Sequence, residues 1–267
     1  MRNLKKVSVI AIALLAMLPS AWSQTAKEVL TKVFENVEKN YNLTDIYKRY
    51  DAKSVYFYNG KMKRAFRQDV ILNYPKEYTE LSEMVWYSSN NYGNMKHQRF
   101  KALNIDAVRN MYGSFLEDSK RFFSERDSLT LSDEGNQYIV SWVSKGKKGN
   151  FRTVLHVDKD DFAVVSYNGT FLRESNKKKH LFRWFVVKQV EYDVTLTYGK
   201  QNGKYELLSF TDRQKDVVDY VFTGKTETCR SNSIDFSGYC DNPEGQKNSQ
   251  GIMSSEEASA LAAEIGK

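Results

Sequence analysis

Two kinds of hydrophobic pattern occur along this chain, and they predict different elements. Between residues 24 and 41, apolar residues recur at helical spacing, and Thr25 with Glu28 forms a possible capping box. A second helical pattern covers 104–123, with Asn104 as the expected N-cap. The stripe of the first helix consists of Ala26, Val29, Leu30, Val33, Phe34 and Val37. Such a stripe must lie against other apolar residues.

Most of the remaining chain alternates between apolar and polar residues, which is typical of strands with one wet face. The clearest example is 191–198, and Asn59-Gly60 and Asn202-Gly203 are typical hairpin turns. The predicted strands are 54–58, 66–74, 85–87, 138–143, 151–157, 162–167, 181–187, 191–198, 205–210 and 217–222. The series predicts an α+β fold, in which a curled antiparallel sheet forms a half-barrel with helices packed on its concave face.

The composition changes after Gly224. Residues 225–251 are rich in Ser, Asn, Gly and Asp, which predicts a loop, and a short helix is expected over 254–265. Cys229 and Cys240 are the two cysteines of the chain, and in an exported protein they are expected to form a local disulfide. The alternative is a redox or metal pair, which their spacing does not fit. We therefore divide the chain after the leader into a β domain, 24–224, and a disulfide-pinned C-terminal region, 225–267.

Residues 1–23 have the three parts of a secretory signal peptide. A basic start is followed by the apolar run 7–18, and small residues precede an expected cleavage between Ser23 and Gln24. The run is shorter than the roughly 20 residues of a membrane span, although a retained anchor is the alternative. No cysteine follows the run, so a lipid anchor is not expected. The protein should be periplasmic, or located at or beyond the outer envelope.

Charge changes this picture only slightly. Three of the 40 basic residues lie in the predicted leader, which leaves a formal charge of +4 against 33 acidic residues. This excess is too small to indicate nucleic-acid binding. Two basic loops could contact an anionic membrane surface if both lie on one rim, and ordinary solvated loops are the alternative. The loops contain Lys145, Lys147, Lys148, Lys177, Lys178 and Lys179.

The chain contains few residues arranged for catalysis. Its three histidines are His97, His156 and His180, and none belongs to a known metal-binding or hydrolase motif. The acidic run 158–161 could attract Ca²⁺, but it lacks the glycine and distal glutamate of an EF-hand, and a solvated hairpin turn explains it. We therefore predict no catalytic residue, no metal and no cofactor.

The order of elements resembles the lipoprotein-carrier family of Gram-negative envelopes, with its LolA/LolB-like fold. Segments 155–165 and 192–207 also resemble the β-region of uncharacterised envelope proteins. In the carriers, a curled sheet forms an incomplete barrel, helices plug its concave side, and the cavity takes acyl chains. The resemblance implies that 26–37 and 105–123 are plug helices.

Three functions follow from these patterns. The first is an exported, non-enzymatic envelope protein that binds lipid or an acylated partner in an apolar cavity. Its expected wall residues are Trp142, Trp184, Tyr198 and Phe210, for which ordinary core packing is the alternative. The second is an interaction module that binds another protein through its sheet edge or basic loops. A hydrolase with an unrecognised site is the third.

Overall fold

The computed structural model describes residues 24–43, 47–73, 83–93, 106–126, 128–146, 149–174, 185–240 and 249–266. The predicted signal peptide lies outside this part of the chain. The helices are α1 (Ala26–Glu35), α2 (Val37–Asn40), α3 (Ala107–Glu117), α4 (Ser119–Ser124) and α5 (Ser255–Ile265). The strands are β1 (Tyr47–Tyr58), β2 (Lys61–Asn73), β3 (Glu83–Tyr92), β4 (Thr130–Glu134), β5 (Gln137–Gly146), β6 (Gly149–Asp158), β7 (Val164–Glu174), β8 (Phe185–Gln201), β9 (Lys204–Tyr220), β10 (Gly224–Cys240) and β11 (Ser249–Ile252).

The described strands form one sheet in the order β11-β3-β2-β1-β10-β9-β8-β7-β6-β5-β4. Neighbouring strands are antiparallel except β3 and β11, which are parallel. The sheet is open and curled, and β4 and β11 are its edges. The predicted antiparallel, β-rich fold is therefore confirmed at this level.

The two predicted Asn-Gly turns are confirmed, and they define the two ends of the sheet. Asn59 and Gly60 both have positive φ, as do Asn202 and Gly203, which matches the tight turns that suit twisted hairpins. The end that contains the β1–β2 turn is termed the upper end, and the end that contains the β8–β9 turn is the lower end. Antiparallel pairing places the β5–β6 and β9–β10 turns at the upper end as well.

Strands β8, β9 and β10 have 17 residues each and extend farther upward than their neighbours. Tyr58 at the end of β1 pairs with Thr228, four residues after β10 begins. The sequence pattern predicted several shorter strands here, including 205–210 and 217–222, but β9 runs through both without a break. Polar residues between them, such as Asp212 and Gln214, pair across both neighbouring strands and so continue the ladder.

Helix α1 forms as its pattern predicts. The capping box between Thr25 and Glu28 is present, and the whole apolar stripe is buried. The helix ends at Asn36, whose side-chain amide donates to the Lys32 carbonyl oxygen at 2.8 Å, and α2 then continues the stripe through Val37. The residues of this stripe pack into the main core with apolar residues of the sheet.

The second predicted helix is divided in two. Asp106, rather than Asn104, is the N-cap of α3, and its carboxylate accepts from the backbone N–H of Arg109 at 3.2 Å. Asp118 has extended backbone angles that end α3, and its carboxylate caps α4. A second good N-cap residue inside an apolar pattern therefore starts a new helix.

The helices lie on both faces of the sheet. Residues of α1 to α4 share one core with Ala52, Phe210 and Leu196, so this side is termed the helix face. Helix α5 packs on the opposite face, where Ala258 and Leu261 contact Val55 and Ala65. Since successive side chains of a strand point to opposite faces, Ala52 and Val55 of β1 belong to different hydrophobic clusters.

The predicted disulfide and the predicted loop around it are wrong. Cys229 and Cys240 are both free thiols, and both lie on β10, a strand between β1 and β9. Eleven residue steps along an extended strand separate their Cα atoms by about 36 Å, far beyond the roughly 7 Å limit for a disulfide. The expected domain boundary at residue 224 thus falls at the start of a central strand.

Candidate functional site

Three of the four expected wall residues lie in the core of the helix face. Trp142, Tyr198 and Phe210 expose 4%, 4% and 9% of their surface, and all three belong to the main cluster. Trp184 lies outside the described residues. None of the three described residues lines either of the two cavities reported below. Their proposed contact with a ligand stays a prediction.

Tyr198 joins the sheet to α3 through hydrogen bonds. Its hydroxyl donates to the Asp106 carboxylate at 2.9 Å and accepts from the backbone N–H of Val108 at 3.2 Å. Burial raises the pKa of Tyr198 well above its ordinary value, and Asp106 raises it further. The hydroxyl therefore stays protonated and serves to position the helix.

The space between α1 and the sheet is occupied by side chains. Phe34 stacks on Phe115 with a centroid distance of 4.6 Å and meets the edge of Phe122 at 5.0 Å. The Arg126 guanidinium covers Phe122 at 3.8 Å and lies 5.6 Å from the Trp142 ring. Burial lowers the pKa of Arg126. This region of the helix face is packed with the protein's own aromatic residues.

The upper part of the same face contains a polar groove of about 320 Å³. It crosses four neighbouring strands, β2, β1, β10 and β9. The lining residues are Ser54, Tyr56, Arg64, Phe66, Gln214, Asp216, Thr228 and Arg230. Four of these form one row of cross-strand partners, in the order Arg64, Tyr56, Arg230 and Gln214.

Hydrogen bonds orient the side chains of this groove. Arg230 donates to the Gln214 amide oxygen at 3.1 Å, and the Gln214 amide nitrogen donates to Asp216 at 2.9 Å. The Arg64 guanidinium lies 5.8 Å from the centroid of Tyr56. The groove therefore presents two guanidinium groups and one carboxylate that is already hydrogen-bonded.

A partly buried carboxylate lies next to the groove. Asp212 accepts a hydrogen bond from the Asn232 side chain and interacts with Tyr192. Burial raises the pKa of Asp212, although these hydrogen bonds and Arg230 act in the opposite direction. Burial also raises the pKa of Tyr192, as does the charge of Asp212. Asp212 and Tyr192 therefore keep their protons to a higher pH than exposed side chains of the same types would.

A second cavity of about 590 Å³ lies on the opposite face, beside the end of α5. Its lining includes Thr195, Thr211, Ser233, Asp235 and Glu264. Lys53, which lies close by, donates to Glu264 at 2.8 Å and to Asp235 at 3.2 Å. These contacts tie α5 to the sheet, and they give two of the lining carboxylates, Asp235 and Glu264, a basic partner.

Exposed apolar side chains concentrate at the upper end. Among the described residues, nine large hydrophobic side chains are exposed, and seven of them lie in the β9–β10 turn or within three residues of a strand end at the upper end. These seven are Tyr58, Val143, Leu172, Phe185, Tyr220, Phe222 and Ile252, the last of which ends β11 beside β3. Phe222 is 80% exposed, and Phe185 faces Tyr220 across the strand pair with a centroid distance of 6.0 Å. Phe185, Tyr220 and Phe222 are termed the aromatic tip.

One of the six lysines of the predicted membrane contact is described, and it lies at this end. Lys145 is exposed on β5 just before the upper turn, and Lys225 is exposed beside the aromatic tip. The other five lysines of that prediction, Lys147, Lys148, Lys177, Lys178 and Lys179, lie outside the described residues. The sequence between β7 and β8 contains three of them, and both strands meet this connection at the upper end.

The lower end contrasts with the upper end in charge. The acidic run 158–161 forms the β6–β7 turn there, as expected for a hairpin, and Asp161 pairs with Lys200 at 2.8 Å. Lys159 pairs with Asp133. Among the described residues, no group of three or more His, Cys, Asp or Glu side chains is placed to hold a metal ion.

Of the three histidines, only His156 lies within the described residues, and no candidate site is found around it. His156 hydrogen-bonds the Gln137 side chain at 3.2 Å on the face opposite the groove. His97 and His180 lie outside the described residues. No described helix has both the length and the apolar composition needed to cross a bilayer.

Comparisons with known proteins identify no family. No protein-family model matches the chain, and no curated protein matches it. A solved structure concerned with lipid–protein interactions in lipovitellin aligns with 78% of this chain and 27% of that chain, at 8% identity and a TM-score of 0.35. This chain thus spans about a quarter of that protein, and a likeness of this degree decides neither fold nor function. The resemblance to the lipoprotein carriers stays a prediction.

Proposed function

We propose that this protein is exported and binds lipid without catalysis, with the upper end of its sheet in contact with an anionic membrane surface. The observation that carries the proposal is the concentration of exposed apolar side chains at that end. A monomeric soluble protein rarely leaves such side chains clustered unless they meet a partner. Export and an envelope location come from the leader pattern alone.

The shape of the aromatic tip favours a membrane over a protein partner. Phe185, Tyr220 and Phe222 lie at the end of three strands that extend beyond the β1–β2 turn. A narrow projection buries little area against a flat protein surface, but it can enter the interface of a bilayer, where aromatic side chains are enriched. Fully burying one Phe is worth about 1.5–3 kcal/mol, so two provide useful but reversible binding.

Charge supports the same partner. Lys145, Arg173 and Lys225 lie at the upper end, and the sequence adds Lys147, Lys148 and the run 177–179 in its connections. Each basic residue near an anionic leaflet contributes about 1 kcal/mol. Glu174 and Glu227 offset part of this attraction, and Glu227 already pairs with Lys215 at 3.1 Å. Binding should therefore depend on anionic lipid and weaken with salt.

The predicted alternative site for acyl chains, between the helices and a half-barrel sheet, receives less support. A lipid there would have to displace Trp142, Phe210 or the rings around Phe34, which are buried and in mutual contact. We infer a binding rather than a catalytic role because the exposed apolar and basic groups at the upper end suit a surface ligand. Open edges at β4 and β11 keep a protein-binding module as the second candidate.

Vesicle flotation tests the proposal with the purified exported protein. We expect binding to vesicles that contain phosphatidylglycerol and little binding to vesicles of phosphatidylcholine alone. Replacing Phe185 and Phe222 with Ser should weaken binding by about tenfold or more, since roughly 1.4 kcal/mol corresponds to tenfold. The matched control is Leu116→Ser, because Leu116 is 54% exposed, as Phe185 is, but lies on α3 and not at a strand end.

The Leu116→Ser control should bind vesicles as well as the unchanged protein. Equal losses in the control and in the Phe185 and Phe222 variant would show that the aromatic tip has no special role. No binding to either kind of vesicle would overturn the proposal, and recovery of lipid inside the purified protein by mass spectrometry would favour the cavity instead.

A further inference from the structure

We propose that the groove on the upper helix face is a binding site for an anionic group, a phosphate or a carboxylate, held between Arg64 and Arg230. This site is separate from the aromatic tip, and the inference does not depend on membrane binding. The chemistry suits both a free anionic solute and the head group of an anionic lipid. The experiment below distinguishes these two sources.

The register of the sheet places the two arginines around one tyrosine. Tyr56 of β1 is the cross-strand partner of both Arg64 on β2 and Arg230 on β10. Two strand spacings separate the arginine Cα atoms by about 10 Å, so both long side chains can reach one group above Tyr56. Because all three side chains lie on the same face, both guanidinium groups line the groove.

Neither guanidinium forms an ion pair with a carboxylate in the part of the chain that the structure describes, although the charge of Arg230 acts on the nearby Asp212 and opposes the rise of its pKa. The ion pairs found there include neither Arg64 nor Arg230, whereas Arg67, three residues after Arg64 on the opposite face, binds Asp51 through two nitrogens. Two cations at this separation repel each other, and an anion between them removes that repulsion. Arginine also presents a planar set of donors that fits carboxylate and phosphate oxygens.

The remaining lining limits the ligand. Ser54, Tyr56 and Thr228 add hydroxyl groups that can donate to a bound oxygen. Asp216 places a negative charge at one side of the groove, and its carboxylate accepts a hydrogen bond from Gln214. This charge disfavours ligands that carry additional negative charge at that side. A volume of about 320 Å³ accommodates one head group or a small phosphorylated solute.

Titration calorimetry with inorganic phosphate and with glycerol phosphate tests the site in the purified exported protein. We expect saturable binding of at least one of them. Arg64→Gln and Arg230→Gln should each weaken it roughly tenfold or more, as expected for the loss of a charge-assisted hydrogen bond. Arg64→Lys should weaken it less, since it keeps the charge but loses the planar fork.

The matched control is Arg152→Gln, which removes one exposed arginine charge from the opposite face. It should change affinity by less than about twofold, because an exposed charge on the far side of the sheet is screened. Circular dichroism and thermal unfolding establish that each variant is folded. Equal losses in Arg152→Gln and the groove variants would overturn the proposal, since net charge alone would then explain binding.

Vesicles of phosphatidylglycerol distinguish the two ligand sources. Binding of the soluble anions shows that a free solute suffices. If only vesicles bind, and Arg64→Gln weakens that binding while the Phe185 and Phe222 pair is intact, the ligand is a lipid head group. No effect of either groove variant on soluble anions or vesicles overturns the site, whatever the aromatic tip does. Conversely, the tip variants can lose vesicle binding while phosphate binding persists.

Discussion

The lower and upper parts of the helix face are built on the same strands but have opposite surroundings. In the lower part, α1 and its neighbours cover Ala52, Leu196 and Phe210, and these residues are buried. In the upper part, the row from Arg64 to Gln214 is polar and lines an open groove. The lower part stabilises the fold, whereas the upper part contains charged and exposed aromatic groups that stability does not require. Such groups are the ones that binding would explain.

The largest expected difference concerns two ion pairs, one near the lower end of the sheet and one near the upper end. Lys48 and Glu206 form a buried pair towards the lower end, and Tyr239 also donates to Glu206 at 3.1 Å. Glu206→Gln should lower the unfolding free energy by about 3–5 kcal/mol, because it leaves a buried ammonium without its carboxylate. Denaturant unfolding measures this.

The matched change near the upper end is Glu227→Gln, which breaks an exposed pair with Lys215 on the opposite face of the sheet. Its expected cost is below about 1 kcal/mol. A second control, Lys48→Met combined with Glu206→Leu, should recover much of the lost stability. If both glutamine variants cost the same, burial does not separate the two parts of the sheet.

Apolar residues of the buried core and of the upper end should differ next. Leu30 of α1 is fully buried in the main core, whereas Leu172 of β7 is 53% exposed at the upper end. Leu30→Ala should cost about 3 kcal/mol of unfolding free energy. Leu172→Ala should change it by less than about 0.5 kcal/mol. Thermal or denaturant unfolding of both variants compares them, and a large loss for Leu172→Ala would show that the upper end is part of the structural core.

The smallest expected effect is a pH dependence of stability that comes from a residue beside the groove. Asp212 lies beside the groove, and burial raises its pKa. The folded state then holds a proton that the unfolded state has lost, so stability should fall as the pH rises from the ordinary aspartate value through the raised value. Asp212→Asn should remove this part of the pH dependence. Unfolding measured across weakly acidic pH tests it, and an unchanged slope would assign the dependence to other groups.

Local patterns were sufficient to predict several elements. The stripe of α1, its capping box, the alternation in β8 and both Asn-Gly turns all depend on residues close together in sequence. Periodicity and turn chemistry act over a few residues, and so they are readable without the fold.

The candidate site could not be read in the same way. Arg64 and Arg230 become neighbours only because β1 lies between β2 and β10, and the polar composition of β10 had predicted a loop. That strand is stabilised by ladders on both sides rather than by its own propensity, which is weak for Ser, Asn and Gly. The buried residues of β10 include Thr226, Ser231, Ser233 and Ile234. Three of these four are polar, so no alternation of apolar residues marked the strand in the sequence.

The sequence by itself determined the amphipathic helix, the hairpin turns and a β-rich chain with a leader pattern, because these follow from short-range spacing and side-chain type. Only the tertiary structure decided that both cysteines lie far apart on one strand, that the exposed aromatic residues gather at one end, and that two arginines flank Tyr56. The physical reason is strand register. Between β1 and β10 it depends on pairing between residues more than a hundred positions apart, such as Tyr56 and Arg230, and it sets which side chains share a face and an end.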